Sequence, residues 1–251
     1  MKKNVLKKLI KKEYNSIASS WRQKVWVHDS DFKNRIAKFA NVRKDRTLLD
    51  VGIGAGDLAS LFRAKFITGV DISHAMLNEC KKLHPDYKLI LGDAEKLPFE
   101  DNSFDIVCCR NLLQNFDNPT RAFKEMVRVL KREGNLVVVE TAVYESERKF
   151  PTRIVRVVEP FHPLSPSHEM LHKLFVSSDL RNVKQKVVGV HKKWLAKWSI
   201  SKNASFKQRQ KIYKVCENLP EWYKKKYKMK LFPNETEVES TLSFSILKGQ
   251  K

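Results

Sequence analysis

The chain has 251 residues, 42% of them hydrophobic and 31% charged, and a formal net charge of +21. That length suits one α/β domain with a small lid, and the apolar share excludes a disordered polymer. No run approaches the ~18 apolar residues of a membrane span. The basic start, residues 1–12, lacks the apolar core of a secretory leader, so a soluble protein is expected. The charge is unevenly spread: residues 1–46 carry +10, residues 47–145 carry −3 and residues 181–231 carry +14. Two basic flanks around a neutral centre suit RNA, an anionic membrane surface, an acidic substrate or simply a solvated lysine-rich surface. Cys80, Cys108, Cys109 and Cys216 show no C-x-x-C spacing, which points to neither zinc nor a disulfide framework and fits a reducing cytoplasm.

Residues 1–12 place Val5, Leu6, Leu9 and Ile10 among lysines, an amphipathic pattern that either packs on the domain or lies on anionic lipid. From residue 47 strands and helices alternate. Thr47–Val51 reads as a buried strand, residues 57–64 as helix, Phe66–Asp71 as strand, and Ser73 as the cap of a helix to about Leu83. Residues 88–91 and 104–109 give two further strands. A helix after Pro119 carries Ala122, Phe123, Met126, Val127 and Leu130 on one face, and Gly134 precedes the strand 136–139. This order predicts a doubly wound α/β fold with a mostly parallel sheet and right-handed crossovers. Later, Ser165-Pro166 reads as the N-cap and first residue of a helix to about Val176, and 183–190 and 241–247 as two more strands. The lysine- and tryptophan-rich stretch 192–231 between them, helical after Ser205, is expected to be a lid insertion.

The most informative segment is Asp50-Val51-Gly52-Ile53-Gly54-Ala55-Gly56, at the carboxyl end of the first strand. Open α/β sheets bind ligands outside such strand ends, and glycines there permit a tight turn and close backbone approach. The spacing is D-x-G-x-G-x-G and not the nicotinamide fingerprint, since Asp57 stands where that pattern needs a third glycine. Asp71 closes the second strand 21 residues after Asp50. Gly92-Asp93-Ala94-Glu95-Lys96-Leu97-Pro98-Phe99, Asp101-Asn102-Ser103-Phe104-Asp105, and Gly134-Asn135-Leu136 follow in order.

Together these motifs resemble the class I S-adenosylmethionine-dependent methyltransferases, whose fold is a seven-stranded, mostly parallel Rossmann-like sheet. The resemblance is closest to the small-molecule branch related to ubiquinone and menaquinone C-methyltransferases, and covers residues 14–145 well and the remainder loosely. It implies S-adenosylmethionine as cofactor, with Gly52, Gly54 and Gly56 forming the turn and Asp71 accepting from both ribose hydroxyls. It places Asp50 near the methionine end, Asp93 and Ala94 at the adenine edge, and Ile72 over the adenine face. Met76 stands either beside Ile72 or in the core, and Arg110 completes the cofactor set. Residues 1–46 become a basic helical segment over the cofactor, in which Tyr14-Asn15-Ser16-Ile17-Ala18 resembles the family's Tyr-x-x-x-Ala element. Residues 47–251 become the methyltransferase domain. Gln114-Asn115 stands where many relatives carry His-His, so no histidine base is available in that loop.

The methyl of a sulfonium is already activated, so the protein must chiefly align acceptor, carbon and sulfur and exclude water. A base is needed only for an alcohol, phenol or carbon acid. His162, in the family-like Glu159-Pro160-Phe161-His162, is the first candidate and Tyr14 the second. Trp21, Trp26, Trp194, Trp198, Trp222 and Tyr223 lie in the basic flanks, where packing of lid helices is preferred over a substrate roof or an RNA-stacking surface. The leading expectation is methylation of a small organic acceptor. The alternatives are an RNA methyltransferase using the basic flanks, and a non-catalytic cofactor-binding protein whose acceptor pocket is filled by side chains.

Overall fold

The computed structural model describes residues 3–23, 29–41, 46–157, 162–163, 165–193, 205–233 and 237–251. Trp26, Trp194, Trp198 and residues 159–161 of the Pro-x-His element lie outside the described residues. Strands β1 (Thr47–Val51), β2 (Phe66–Asp71), β3 (Lys88–Leu91), β4 (Phe104–Arg110) and β5 (Leu130–Thr141) are parallel neighbours. Strands β6 (Arg181–Lys193) and β8 (Glu237–Gln250) run antiparallel, and the order is β3-β2-β1-β4-β5-β8-β6. The expected seven strands are joined by an eighth among the described residues, the short β7 (Lys230–Phe232) paired to β8. Strand order reverses between β1 and β4, so the loops after these two strands diverge and open a crevice.

Helices cover both faces of the sheet. Helix α2 (Ser30–Ala40) is capped by Asp29, which accepts from Phe32 N, and buries Phe32 and Ile36 against one face. Helix α3 (His74–Leu83) is capped by Ser73 as the sequence predicts. Helix α4 (Thr120–Val129) places Phe123, Met126 and Val127 on the opposite face with α6 (His168–Val176). Helix α1 (Lys3–Ile17) packs beside α3, where Ile17, Ala18 and Met76 form a small cluster. No helix among the described residues is long and apolar enough to cross a membrane.

Three local expectations are corrected. Residues 57–64 form only a single 3-10 turn, Ala59–Leu61, because the glycine loop uses the first residues after β1 and the chain must re-extend by Phe66. Helix α6 begins at His168 with Ser167 as its cap, not at Ser165-Pro166. Ser165 is held instead by Thr152, whose Oγ1 accepts from Ser165 N at 3.0 Å. Leu130 leaves the α4 face and opens β5 opposite Phe104.

The stretch after β6 folds as α7 (Phe206–Glu217), α8 (Glu221–Lys226) and β7. With α5 (Lys149–Val155) these helices bury Phe150, Ile154, Ile212, Cys216, Tyr223 and Tyr227 in a cluster apart from the sheet core. A buried ion ties them down: Glu147 accepts from Tyr227 Oη at 2.6 Å and from Lys226 Nζ at 2.5 Å. The packing expectation for the aromatic residues holds for Trp222, which sets its ring edge-on to Phe150 yet remains half exposed.

The opposite, amino-terminal edge of β1 and β4 is pinned by Asp105. Its Oδ2 accepts from Thr47 N at 2.9 Å and Thr47 Oγ1 at 2.7 Å, and Lys131 approaches Oδ1 at 3.2 Å. Burial pushes this carboxyl up, but the Thr47 bonds and Lys131 prevail and hold it near 2. Because the folded value lies below the unfolded one, the stabilisation is full above about pH 4 and disappears as pH falls toward 2. Asp105→Asn is expected to cost about 1–2 kcal/mol in urea denaturation at pH 7 and almost nothing near pH 2; an equal loss at both would show that the charge is irrelevant.

Candidate active site

The turn after β1 is built from left-handed glycines. Gly52 (φ +70°) and Gly54 (φ +54°) occupy a region that other residues enter only with strain. Gly52 N and Ile53 N both donate to Val70 O, at 2.7 and 3.1 Å, folding the turn against the end of β2. A Cβ on Gly52 would stand 2.9 Å from Leu112 Cδ1, whereas one on Gly54 would meet only the Trp21 ring, at 3.9 Å. Gly54 thus presents bare backbone to open space. Asp71 holds this arrangement: Oδ2 accepts from Gly54 N at 2.9 Å and Oδ1 from Ser73 N at 2.8 Å. Burial lifts its carboxyl above the usual range against the pull of those N–H groups.

A cleft opens in front of the turn. Asp50, Gly52, Gly54, Asp71, Ile72, Asp93, Ala94 and Arg110 all line it. Two of the anticipated cofactor residues do not. Gly56 (φ +88°) instead lies where a Cβ would come within 2.6 Å of the His84 ring, and Met76 is fully buried behind Ile17 and Ala18. Their roles are a tight packing turn and core filling.

Ionisable groups lie at and behind the floor of the cleft. Asp50 is buried, accepts from Ala59 N at 3.1 Å and is pushed up to about 8 by burial. Glu140, on β5, takes Leu112 N at 2.6 Å and Leu113 N at 2.8 Å on Oε1, and burial likewise lifts it to about 8. Arg110, at the end of β4, lies over the Phe32 ring at 5.3 Å, with buried Nε and Nη2 that have no hydrogen-bond partner among the described residues. Burial lowers it to about 10 while Asp57, Asp50 and Glu140 favour its charge. Unpartnered guanidinium nitrogens at a cleft are expensive and call for an anionic ligand group. A zwitterionic amino-acid tail beside a ribose-binding carboxylate is what this donor set fits, and S-adenosylmethionine carries both.

Four further residues shape the site; the sequence pointed only to Trp21 among them, and there preferred packing. Lys7 of α1 bridges Asp93 and Glu95, the latter at 2.6 Å, drawing the amino-terminal helix over the cleft. Trp21 Nε1 donates to Asp57 Oδ2 at 2.8 Å. Asn111 (φ +49°) accepts from Thr141 N and Oγ1 at 3.0 and 3.1 Å, joining the ends of β4 and β5. Glu140 is the fourth. The spacing of Lys7, Ile10 and Tyr14 on one face of α1, all lining the cleft, was the available signal for the first.

A second chamber shares Tyr14, Trp21, Asn111 and Asn115 with the first. His162 and Tyr14 both line it, as does Gln114. Ile154 and Val155 from α5 with Tyr223, Tyr227 and Met229 supply its apolar side. Asn115 Nδ2 donates to Tyr14 Oη at 3.3 Å. Burial pushes His162 down to about 4, against Glu13 and with Arg156, so its imidazole is neutral at pH 7.

Glu140 organises the loop between the two chambers, and its raised pKa makes it largely protonated at pH 7. Glu140→Gln, which keeps an acceptor, is expected to cost under about 1 kcal/mol of stability, and Glu140→Ala about 2–3 kcal/mol by orphaning two N–H groups. Equal losses in denaturant titrations would contradict this.

Known proteins agree with this geometry. Residues 49–138 match the family model described as a methyltransferase domain. A demethylmenaquinone methyltransferase of Staphylococcus aureus is 40% identical over 144 residues, covering 53% of this chain and 57% of that protein. The chain spans about half the length of the curated relatives it matches. Among solved structures, the YcgJ protein of Bacillus subtilis aligns with a TM-score of 0.78 at 23% identity, over 87% of this chain and 97% of that one. A phosphoethanolamine N-methyltransferase of Haemonchus contortus, solved with phosphomonomethylethanolamine and S-adenosylhomocysteine, aligns at 0.57 and 16% identity, over 95% and 60%. At these identities the two structures speak for the fold alone. Residues 49–138 thus match a methyltransferase domain, and over about half of its length the chain is similar to demethylmenaquinone methyltransferases.

Proposed function

We propose that this protein transfers the methyl group of S-adenosylmethionine to a small organic acceptor. The observation that carries this reading is the meeting of two chambers at Tyr14, Trp21, Asn111 and Asn115, one lined by the glycine turn and the other by a mixed apolar and polar wall. A protein that only bound the cofactor would have no need of the second, which side chains leave open.

In the first chamber Asp71 takes the ribose hydroxyls, Asp93 and Ala94 read the adenine edge under Ile72, and Arg110 receives the carboxylate of the methionine end. Asp50 stands near that end as well. When bound, the cofactor supplies a methyl group already activated by the sulfonium charge. The residues between the chambers hold the acceptor in line with it and keep water out, which lowers the barrier through orientation. His162 accepts the proton from an acidic acceptor, with Tyr14 as the nearby alternative; the low basicity of a buried imidazole suits a phenol-like group better than an aliphatic alcohol. The name of the curated relatives suggests a quinol-like ring, and the apolar side formed by Ile154, Tyr223 and Tyr227 suits its body. Helix α1 and helices α7–α8 act as lids on the two chambers. The four buried thiols fit a reducing compartment, and we assign the cytoplasm.

Calorimetry with S-adenosylhomocysteine tests the cofactor half. Asp71→Ala is expected to weaken binding by about 1.5–3 kcal/mol, the range for hydrogen bonds to a charged group. Unchanged affinity would remove Asp71 from the site, and absence of binding by the unaltered protein would sink the whole reading. Passage of labelled methyl from S-adenosylmethionine to a naphthohydroquinone tests the acceptor half.

A further inference from the structure

One wall of the acceptor chamber holds a hydrogen-bond chain that the reading above does not use. His168, at the start of α6, is buried and bonds through both ring nitrogens: Nδ1 lies 2.7 Å from Ser245 Oγ and Nε2 3.1 Å from Ser243 Oγ. Ser245 is fully buried, whereas Ser243 lines the chamber. Behind them Gln185 of β6 sets its Nε2 3.0 Å from the His168 carbonyl oxygen and 2.9 Å from Ser245 Oγ.

These contacts have a direction. A carbonyl oxygen only accepts, so it is the amide nitrogen of Gln185 that faces His168 O, and its second N–H goes to Ser245. Ser245 Oγ therefore accepts from Gln185, and among the described residues its own proton has one partner left, Nδ1 of His168. Burying that hydroxyl proton without a partner would cost about 1–3 kcal/mol, which fixes the choice. With Nδ1 as acceptor, a neutral imidazole carries its hydrogen on Nε2 and donates it to Ser243 Oγ. Burial favours this neutral form, outweighing Glu169 and Glu147, while Lys226 acts in the same sense as burial. Tyr144 adds only a ring edge at 5.0 Å. Ser243 Oγ thus accepts from inside the wall, and its O–H proton is left for the chamber.

We propose that Ser243 is a specificity-determining donor, the end of a one-way chain Gln185→Ser245→His168→Ser243 that selects an acceptor molecule presenting a carbonyl or phenolate oxygen. The proposal rests on the second chamber being the methyl-acceptor site. Each donor in such a chain polarises the next, so the terminal hydroxyl is a better donor than an isolated serine. It stabilises negative charge on a ring oxygen and opposes a protonated amine, which would set donor against donor.

Nitrogen-15 NMR of the imidazole in the whole protein at pH 7 reads the direction without any substitution. The Nε2–H tautomer is expected, and Nδ1–H would overturn the proposal. The chemical class is read with 4-nitrophenol, whose phenolate is coloured, in the presence of S-adenosylhomocysteine. Saturable binding with a lowered phenol pKa is expected. Ser243→Ala should weaken phenolate binding roughly tenfold, with S-adenosylhomocysteine affinity unchanged, and Ser243→Thr should restore part of the loss. Equal phenolate binding by Ser243→Ala, or none by the unaltered protein, would overturn the proposed selectivity. Failure of S-adenosylhomocysteine to bind at all would instead strike the cofactor reading, leaving the tautomer measurement to stand by itself.

Discussion

The carboxylate of Asp71 takes one N–H from the loop after β1 and one from the start of the segment after β2. The loop after β1 has no regular helix immediately behind it, whereas Ser73 leads straight into α3, so this pair of bonds ties the glycine turn to the start of that helix. The turn can then run through two left-handed glycines and still be rigid, with the N–H groups of Gly52, Ile53 and Gly54 all engaged within the fold. An ionised carboxylate offers about four acceptor sites, and the N–H groups of Gly54, Ser73 and Ile72 take three, which leaves one for the cleft. Structure and recognition are thus drawn from one side chain, and the strain of the turn is balanced by bonds that also define the binding edge.

Around it, charge is concentrated where strand order reverses. Asp50, Glu140 and Arg110 come from three adjacent strands and are held in a poorly solvated space. Such burial is costly unless hydrogen bonds or counter-charges offset it. Backbone N–H groups from Ala59, Leu112 and Leu113 serve the two acids. Each of the three still keeps a buried polar atom with no hydrogen-bond partner among the described residues: Asp50 Oδ1, Glu140 Oε2, and Nε and Nη2 of Arg110.

The strands β1 to β4, the Ser73 cap and the acidic residues at strand tips were legible because each depends on a short continuous stretch of chain. Asp50, Asp71, Asp93 and the first two glycines of the turn needed only spacing. The helix expected over 57–64 failed on a matter of length: its residues suit a helix, but the turn and the return to β2 leave room for a single 3-10 turn. Ser165 and Ser167 offer the same capping chemistry two residues apart, and only the tertiary bond of Ser165 to Thr152 decides between them. The roles of Lys7, Trp21 and Glu140 were missed for a different reason. Their partners lie between 27 and 88 residues away, at distances along the chain where periodicity carries no information. Met76 and Gly56 show the converse, since each sits at the correct place in a motif yet faces away from the cleft.

Tyr14 and Trp21 precede the first strand, yet both wall the two chambers at once. Helix α2 and the sheet with its later helices contain nearly all of the buried core. A polypeptide beginning at Asp29 keeps that core and loses the partition between the two chambers. The smallest piece that folds and the smallest piece that works are therefore different lengths of chain.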